Sequence, residues 1–374
     1  MRQTCLICAR SAPDGKLFCQ DVRCQAEMAP RILDYGEWLG DLEITRPIVI
    51  LPSAVLYEAC RQGEKLLLKV AHPGQEHTQR LEREAHLLQQ MQRKGQAPAY
   101  MPTLRPPYTN LALNESPYGR MALGKQLLYF CVFEHFVGEP LADHLLKHPQ
   151  PWLFHVGWIA TALATAVATM HSHRRLHLAL SPQSALVRFD QERNAPEVLL
   201  IDLGVVWDAG EPQHFQRDWY PDVVAPDYTA PELAPPVNGP PGYPADVYGL
   251  GLISYEMLAG HPALGTSQTH QNAAANATPT RRIAPLSRAQ DAAKVATLVE
   301  RMLSAHPIDR HPSAEPLAHE LLALFGTPPP APRRWLPSGE TAMQIAVVIL
   351  IIAFATALIA SLLSLYGVGT GLVL

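Results

Sequence analysis

A chain of 374 residues with a formal net charge of −4 carries 48% hydrophobic but only 17% charged residues. The length suits about two domains with a substantial core, and the 35 prolines, about twice the usual share of roughly 5%, point to Pro-rich loops and linkers. Slight acidity and the lack of any long Lys/Arg block exclude the electrostatic footprint of a nucleic-acid binder.

The N-terminus, Met1-Arg2-Gln3-Thr4-Cys5, shows no apolar signal segment. Of six cysteines, four crowd the first 24 residues: Cys5, Cys8, Cys19 and Cys24, spaced C-x2-C-x10-C-x4-C. Two short loops, each aiming a thiolate pair at one point, make a tetrahedral four-Cys site for a structural zinc ion. Iron or two disulfides would use the same residues, and free thiols are the remaining alternative. A unit this small (1–35) has no core of its own, so a bound metal would supply its folding energy. Four thiolates leave no open coordination position. Cys60 and Cys131 sit in apolar surroundings and read as small buried hydrophobes.

From 40 to 326 the pattern changes once. Short β-type runs at 48–51, 65–70 and 127–133 enclose one helical segment at 78–93; long helical segments follow at 152–171, 245–259 and 292–304. A small β-rich lobe (40–134) followed by a larger helical lobe (135–326) is an α+β arrangement. The 152–171 segment is apolar on most faces but short, and reads as a core helix. Gly119-x4-Gly124-Lys125-Gln126 nearly spells a phosphate-binding P-loop, yet lacks the Ser/Thr for Mg²⁺ and leads into a strand-like run.

A Pro-rich stretch, 327–342, is an extended, semi-rigid spacer by composition. Beyond it, 343–366 is a transmembrane helix candidate. Its core from Ile345 to Tyr366 is an almost unbroken apolar run of 22 residues, about 33 Å long as a helix against a bilayer core of about 30 Å. Arg333 and Arg334 precede it and no Lys or Arg follows, so the positive-inside rule keeps the N-terminal part in the cytoplasm. That compartment argues against disulfides. The tail 367–374 is too short to fold.

Specific motifs carry the reading further. His177-Leu178-Ala179-Leu180-Ser181-Pro182-Gln183-Ser184-Ala185-Leu186-Val187 resembles the protein-kinase catalytic loop H-R-D-L-K-P-E-N-I-L-V. Leu200-Ile201-Asp202-Leu203-Gly204 is similar to the D-F-G metal loop, and Tyr228-Thr229-Ala230-Pro231-Glu232 to Y-x-A-P-E. Ala245-Asp246-Val247 resembles the start of the large central helix, and Arg310 the late arginine that pairs with the A-P-E glutamate. Upstream, Leu67-Leu68-Lys69 matches the lysine motif of the third kinase strand, and Glu84 its helix partner. Seven motifs in order resemble the protein kinases, most closely the membrane-anchored bacterial serine/threonine kinases.

The resemblance implies a bilobal kinase-like fold, and also a stripped site. Phosphoryl transfer needs positioned phosphates, Mg²⁺ ligands and a carboxylate near the attacking hydroxyl. Ala179 stands in place of that carboxylate, Ser181 in place of the phosphate-steadying lysine, and Ser184 in place of the asparagine ligand of a second Mg²⁺. The stretch before Leu56 has no glycine to cover phosphates, and Leu67 replaces the small residue that roofs the adenine. From 205 to 228 there is no Ser or Thr; Ala225 and Leu178 replace the substrate-facing threonine and the arginine that grips a phosphorylated loop. Lys69, Glu84 and Asp202 remain as a possible ATP/Mg²⁺ set. They serve equally as an ion pair tying helix to sheet and a turn residue before Gly204. The implied protein is a membrane-tethered pseudokinase whose lobes and zinc unit dock protein partners. The alternatives are a divergent kinase or kinase-like transferase, or a zinc unit that alone is functional.

Overall fold

The structure is a computed structural model that describes residues 32–93, 98–123, 126–189, 195–209, 228–233, 241–263 and 290–327, together with Ala357 and Ser361, which are helical and exposed. The chain divides into two compact units, 1–329 and 330–374. Cys5, Cys8, Cys19, Cys24 and Ala225 lie outside the described residues, as does the apolar C-terminal run apart from Ala357 and Ser361.

The small lobe is a seven-stranded antiparallel sheet. Its strands are β1 (Trp38–Leu39), β2 (Leu42–Ile50), β3 (Ala54–Arg61), β4 (Glu64–Ala71), β5 (Leu104–Arg105), β6 (Gly119–Leu123) and β7 (Gln126–Glu134), in the order β1-β2-β3-β4-β7-β5, with β6 also paired to β7. Strand alternation assigns the two faces. Leu66, Leu68 and Val70 of β4 pack with Val55, Tyr57, Phe130 and Val132 in a core belonging to this lobe. Leu67 and its same-face neighbours instead join the core that runs on into the large lobe. Strand β2 tolerates Pro47 because its pairing with β1 ends at Glu43, leaving one edge there without a strand partner among the described residues.

Helix α1 (Gln75–Arg93) begins three residues before the expected start. Gly74, at φ +125°, makes the entry turn. Leu81, Ala85 and Leu88 form its inner apolar stripe, and Arg80 and Glu84 are buried beside them.

The large lobe holds α2 (Leu141–Lys147), α3 (Leu153–Ser172), α4 (Tyr243–Ala259), α5 (Gln290–Met302) and α6 (Ala314–Phe325). Among the described residues α3 alone is long and apolar enough to cross a membrane, yet two thirds of its apolar window is buried. It packs on α6 and α4 as the lobe's core helix. Gly157 allows that closeness: a Cβ there would lie 2.2 Å from the Phe325 ring. Short strands complete the lobe: β8 (Glu139–Pro140), β9 (Arg175–Leu176), β10 (Ala185–Arg188), β11 (Glu197–Leu200) and β12 (Trp207–Asp208). β10 pairs with β11 and β8, and β12 with β9.

The α+β class and the bilobal order agree with the sequence expectation. Cys131 is buried, whereas Cys60 is only half-buried. The P-loop look-alike begins as a strand, β6 (Gly119–Leu123), and its Gly119 serves packing, since a Cβ there would meet Phe130 at 2.2 Å; Gly124 and Lys125 lie outside the described residues.

Candidate functional site

Strand β4 places Lys69 opposite Leu56 of β3 and Cys131 of β7. Its side chain points at α1, where the Nζ–H donors reach Glu84 Oε2 at 2.6 Å, Asp202 Oδ1 at 2.8 Å and the Ile201 carbonyl at 3.3 Å. Arg80, one helical turn before Glu84, closes the group from the other side. Its Nη2 lies 3.7 Å from Asp202 Oδ2, and its Nε–H donates to the Gly204 carbonyl at 3.1 Å. All four residues are at most 3% exposed. Two cations and two carboxylates therefore share one dry site.

Burial alone would favour neutral forms. It pulls Lys69 down, but the carboxylates of Asp202 and Glu84 more than reverse this and hold its ammonium above the usual range. Burial pushes Asp202 up, and Lys69, Arg80 and His177 overcome that, leaving it well below ordinary carboxylates. Glu84 stays raised: burial dominates, and the attraction of Lys69 is partly cancelled by the nearby charge of Asp202.

The loop carrying Asp202 is fixed through its backbone. The Ile201 and Asp202 N–H groups donate to the Ser184 carbonyl at 2.8 and 3.2 Å, and the His177 Nε2–H donates to the Asp202 carbonyl at 2.7 Å. Gly204 takes φ +68°, and a Cβ there would lie 2.3 Å from His177. Burial keeps the His177 ring below its usual pKa, consistent with a neutral donor. Beneath, Asp246 in the first turn of α4 accepts from the N–H of His177 (2.8 Å) and of Leu178 (2.6 Å), and from His171 Nε2 (2.9 Å). Arg310 forms a fork on Glu232 at 2.7 and 2.9 Å, donates to the carbonyls of Pro244, Ser304 and Ala305, and lies 4.6 Å over the Tyr248 ring.

A paired lysine and helix glutamate, a metal-loop aspartate on a histidine-braced turn, and a glutamate–arginine fork at the base match the kinase frame in space as in sequence. The protein kinase domain model matches residues 60–322. The chain belongs to the protein kinase domain family. Its fold resembles crystal structures of the Mycobacterium tuberculosis PknI kinase domain. One has a TM-score of 0.51 at 19% identity, covering 79% of this chain and 100% of that one. Another has 0.52 at 17%, covering 78% and 100%, and a cysteine-to-alanine variant has 0.52 at 18%, covering 79% and 100%. No curated protein matches the chain.

In this kinase domain the catalytic loop closes on itself. Ala179 is 7% exposed, and its N–H lies 3.2 Å from His177 Nδ1. The Ser184 hydroxyl accepts from the Ser181 N–H at 3.2 Å and donates to the Ala179 carbonyl at 3.3 Å, while Ser181 Oγ lies 3.3 Å from Ser184 Oγ. The two serines thus form a capping box for the short 3-10 turn Pro182–Ser184. Leu178, at φ +58°, is buried in the core.

The β2–β3 turn is equally committed. The Leu51 N–H donates to the Ala54 carbonyl at 2.8 Å, and His72 Nε2 donates to the Leu51 carbonyl at 2.8 Å. Leu56 and Leu67 of the small lobe and Leu186 of the large lobe have no exposed surface and belong to one apolar cluster. As arranged, these residues do not fit a metal-bound nucleotide: Asp202 Oδ1 accepts from Lys69, Asp202 Oδ2 faces the Arg80 guanidinium at 3.7 Å, and the Ser184 hydroxyl is held by its own loop. Among the described residues no cluster of His, Cys, Asp or Glu could hold a metal. His171 and His177 are framework residues, bonded to the Asp246 carboxylate and the Asp202 carbonyl.

Lys69, Glu84 and Asp202 come together; Ala179, Ser181 and Ser184 lie side by side in the catalytic loop. Arg80 was missed. Its one signal in the sequence is a cation four residues before Glu84, on the face that carries Leu81, Ala85 and Leu88.

Proposed function

We propose that this kinase-domain protein is a catalytically deficient pseudokinase that acts as a scaffold or regulator for protein partners. The observation that carries the reading is the catalytic loop. Ala179 offers no carboxylate, and the polar atoms of Ser181 and Ser184 are spent within the loop. A transferring enzyme needs a group to orient the hydroxyl and oxygens for the metal. The committed β2–β3 turn and the packed cluster around Leu67 support the same reading.

The proposal extends beyond the lobes on sequence grounds. The apolar run from Ile345 to Tyr366 anchors the chain in a membrane, with the kinase domain on the cytoplasmic side. The four cysteines Cys5, Cys8, Cys19 and Cys24 hold a structural zinc ion and give partners a second contact.

The test is transfer from γ-labelled ATP by the full-length chain in detergent micelles with Mg²⁺ or Mn²⁺. No labelled product is expected. Transfer by the wild type that disappears in Lys69→Ala or Asp202→Ala would overturn the reading. A second reading, a kinase-like transferase moving another part of ATP, is favoured by the intact 2.6 Å Lys69–Glu84 pair. Labelled product from α-labelled ATP would establish it.

A further inference from the structure

We propose that the Arg80 guanidinium takes over the task of a divalent metal at Asp202, so that the site excludes Mg²⁺ and Mn²⁺ and holds α1 against the metal loop without nucleotide. The inference deepens the pseudokinase reading and rests on it in one respect: a metal-dependent transfer through Asp202 would contradict both.

Three observations carry it. First, each carboxylate oxygen of Asp202 faces its own cation, Oδ1 at 2.8 Å from Lys69 Nζ and Oδ2 at 3.7 Å from Arg80 Nη2. A metal ion would have to displace one of them. Second, among the described residues the four buried charges Lys69, Arg80, Glu84 and Asp202 balance. A divalent ion added here would leave the dry site with uncompensated positive charge. The guanidinium stays protonated at every physiological pH, so no pH change empties the position. Third, Arg80 also donates to the Gly204 carbonyl, joining α1 directly to the turn after Asp202. A nucleotide-borne metal would hold that turn only while bound, whereas Arg80 is part of α1 and holds it without a ligand.

The remaining metal ligand of the kinase pattern gives no help, because the Ser184 hydroxyl is held between the Ser181 N–H and the Ala179 carbonyl. Arg80 is therefore a positioning residue for the lobe arrangement and the determinant of metal exclusion.

The probe is Mn²⁺, titrated into the full-length chain in micelles, alone and with ATP, and followed by its paramagnetic resonance signal. The wild type and Asp202→Asn are expected to bind equal amounts of Mn²⁺, any shared binding coming from elsewhere in the chain. Arg80→Met is expected to gain a Mn²⁺ site that the double variant Arg80→Met/Asp202→Asn loses, while Arg80→Lys gains none. A wild-type site that vanishes in Asp202→Asn overturns the inference, and so does a folded Arg80→Met with no gained site. Should a variant fail to fold, relaxation of the Leu203 and Gly204 amide signals in wild-type protein decides: enhancement by Mn²⁺ overturns the proposal, and its absence supports it. A transfer-dead protein that binds Mn²⁺ through Asp202 removes this inference and leaves the pseudokinase reading standing; labelled product removes that reading.

Discussion

Leu67 gives the sharpest test of whether the cleft between the lobes is filled by the protein's own side chains. It pairs with Phe133 across β7 and Glu58 across β3, has no exposed surface, and shares a cluster with Leu56 and Leu186. Truncating a fully buried leucine to alanine costs about 3–5 kcal/mol when the cavity cannot collapse. With a paired strand on each side and no exposed surface, Leu67→Ala should lose about 3 kcal/mol or more. The cavity opens where the kinase pattern places the adenine. A ligand that binds only the folded state at 100 times its dissociation constant returns about 2.7 kcal/mol, or roughly 5–10 °C in a domain of this size. The assay is thermal unfolding of the full-length protein in micelles, with and without ATP in the absence of metal. Wild type should not shift, and Leu67→Ala should melt lower and regain several degrees with ATP. An ATP shift in wild type that is lost in Lys69→Ala would refute the reasoning. So would a loss below about 1 kcal/mol in Leu67→Ala, because Leu67 would then not be close-packed.

Other expectations follow from the same contacts. Arg310→Met removes the fork on Glu232 and three carbonyl contacts, leaving a partly buried carboxylate alone; it should cost about 3 kcal/mol in denaturant unfolding, and a change below about 1 kcal/mol would contradict a structural role. His72 and His77 are both lowered to about 4 by burial. The unfolded chain therefore binds more protons between pH 6.5 and 4, and stability should fall as pH drops through that window by about 3 kcal/mol for each ring. His72→Gln, which keeps a donor for the Leu51 carbonyl, should flatten that slope; an unchanged slope would clear His72 of the effect. Zinc analysis of the purified chain should find about one ion, lost in a Cys5→Ser/Cys8→Ser variant, while zinc-free wild type would remove the metal from the reading.

Fold and site were legible in the sequence to different depths, and the reason is how local each signal is. The order of strands and helices, Lys69, Glu84, Asp202, Asp246 and the Glu232–Arg310 fork all lie in short strings with fixed spacing, and the structure brings each to its partner. The 245–259 helix differs from α4 by two residues at its start and the 292–304 helix from α5 by two at each end, within what fraying and short turns produce. Strand β2 runs from Leu42, well ahead of the expected 48–51, because Arg46 and Pro47 mask a stretch whose two pairing shifts break strict alternation. Helix α2 is only seven residues and gives too little periodicity to read. Arg80 escaped for another reason: a charged residue on a helix normally reads as solvated. Only the approach of Asp202, distant in sequence, makes its burial intelligible. His72 is similar, since its task depends on the folded position of the β2–β3 turn.

These considerations change what Lys69, Glu84 and Asp202 say about nucleotide. In the sequence they read as the remnant of an ATP site, and in an open cleft that would be the natural inference. In the folded protein they are three members of a buried four-charge cluster with Arg80. Removing one partner of such a group strands another charge in a medium that cannot solvate it, at about 3–5 kcal/mol. In a domain worth only about 5–15 kcal/mol in total, each member of the cluster therefore accounts for a large share of the stability. Packing alone thus gives the motif residues a structural role, whether or not ATP ever enters. The catalytic-loop positions have no such constraint. Ala179 and the two serines complete their turn with hydrogen bonds to one another, and the carboxylate and amide of the kinase pattern can be absent without loss of fold. A kinase frame separates here into residues that hold it shut and residues that only perform transfer, and this chain keeps the first set.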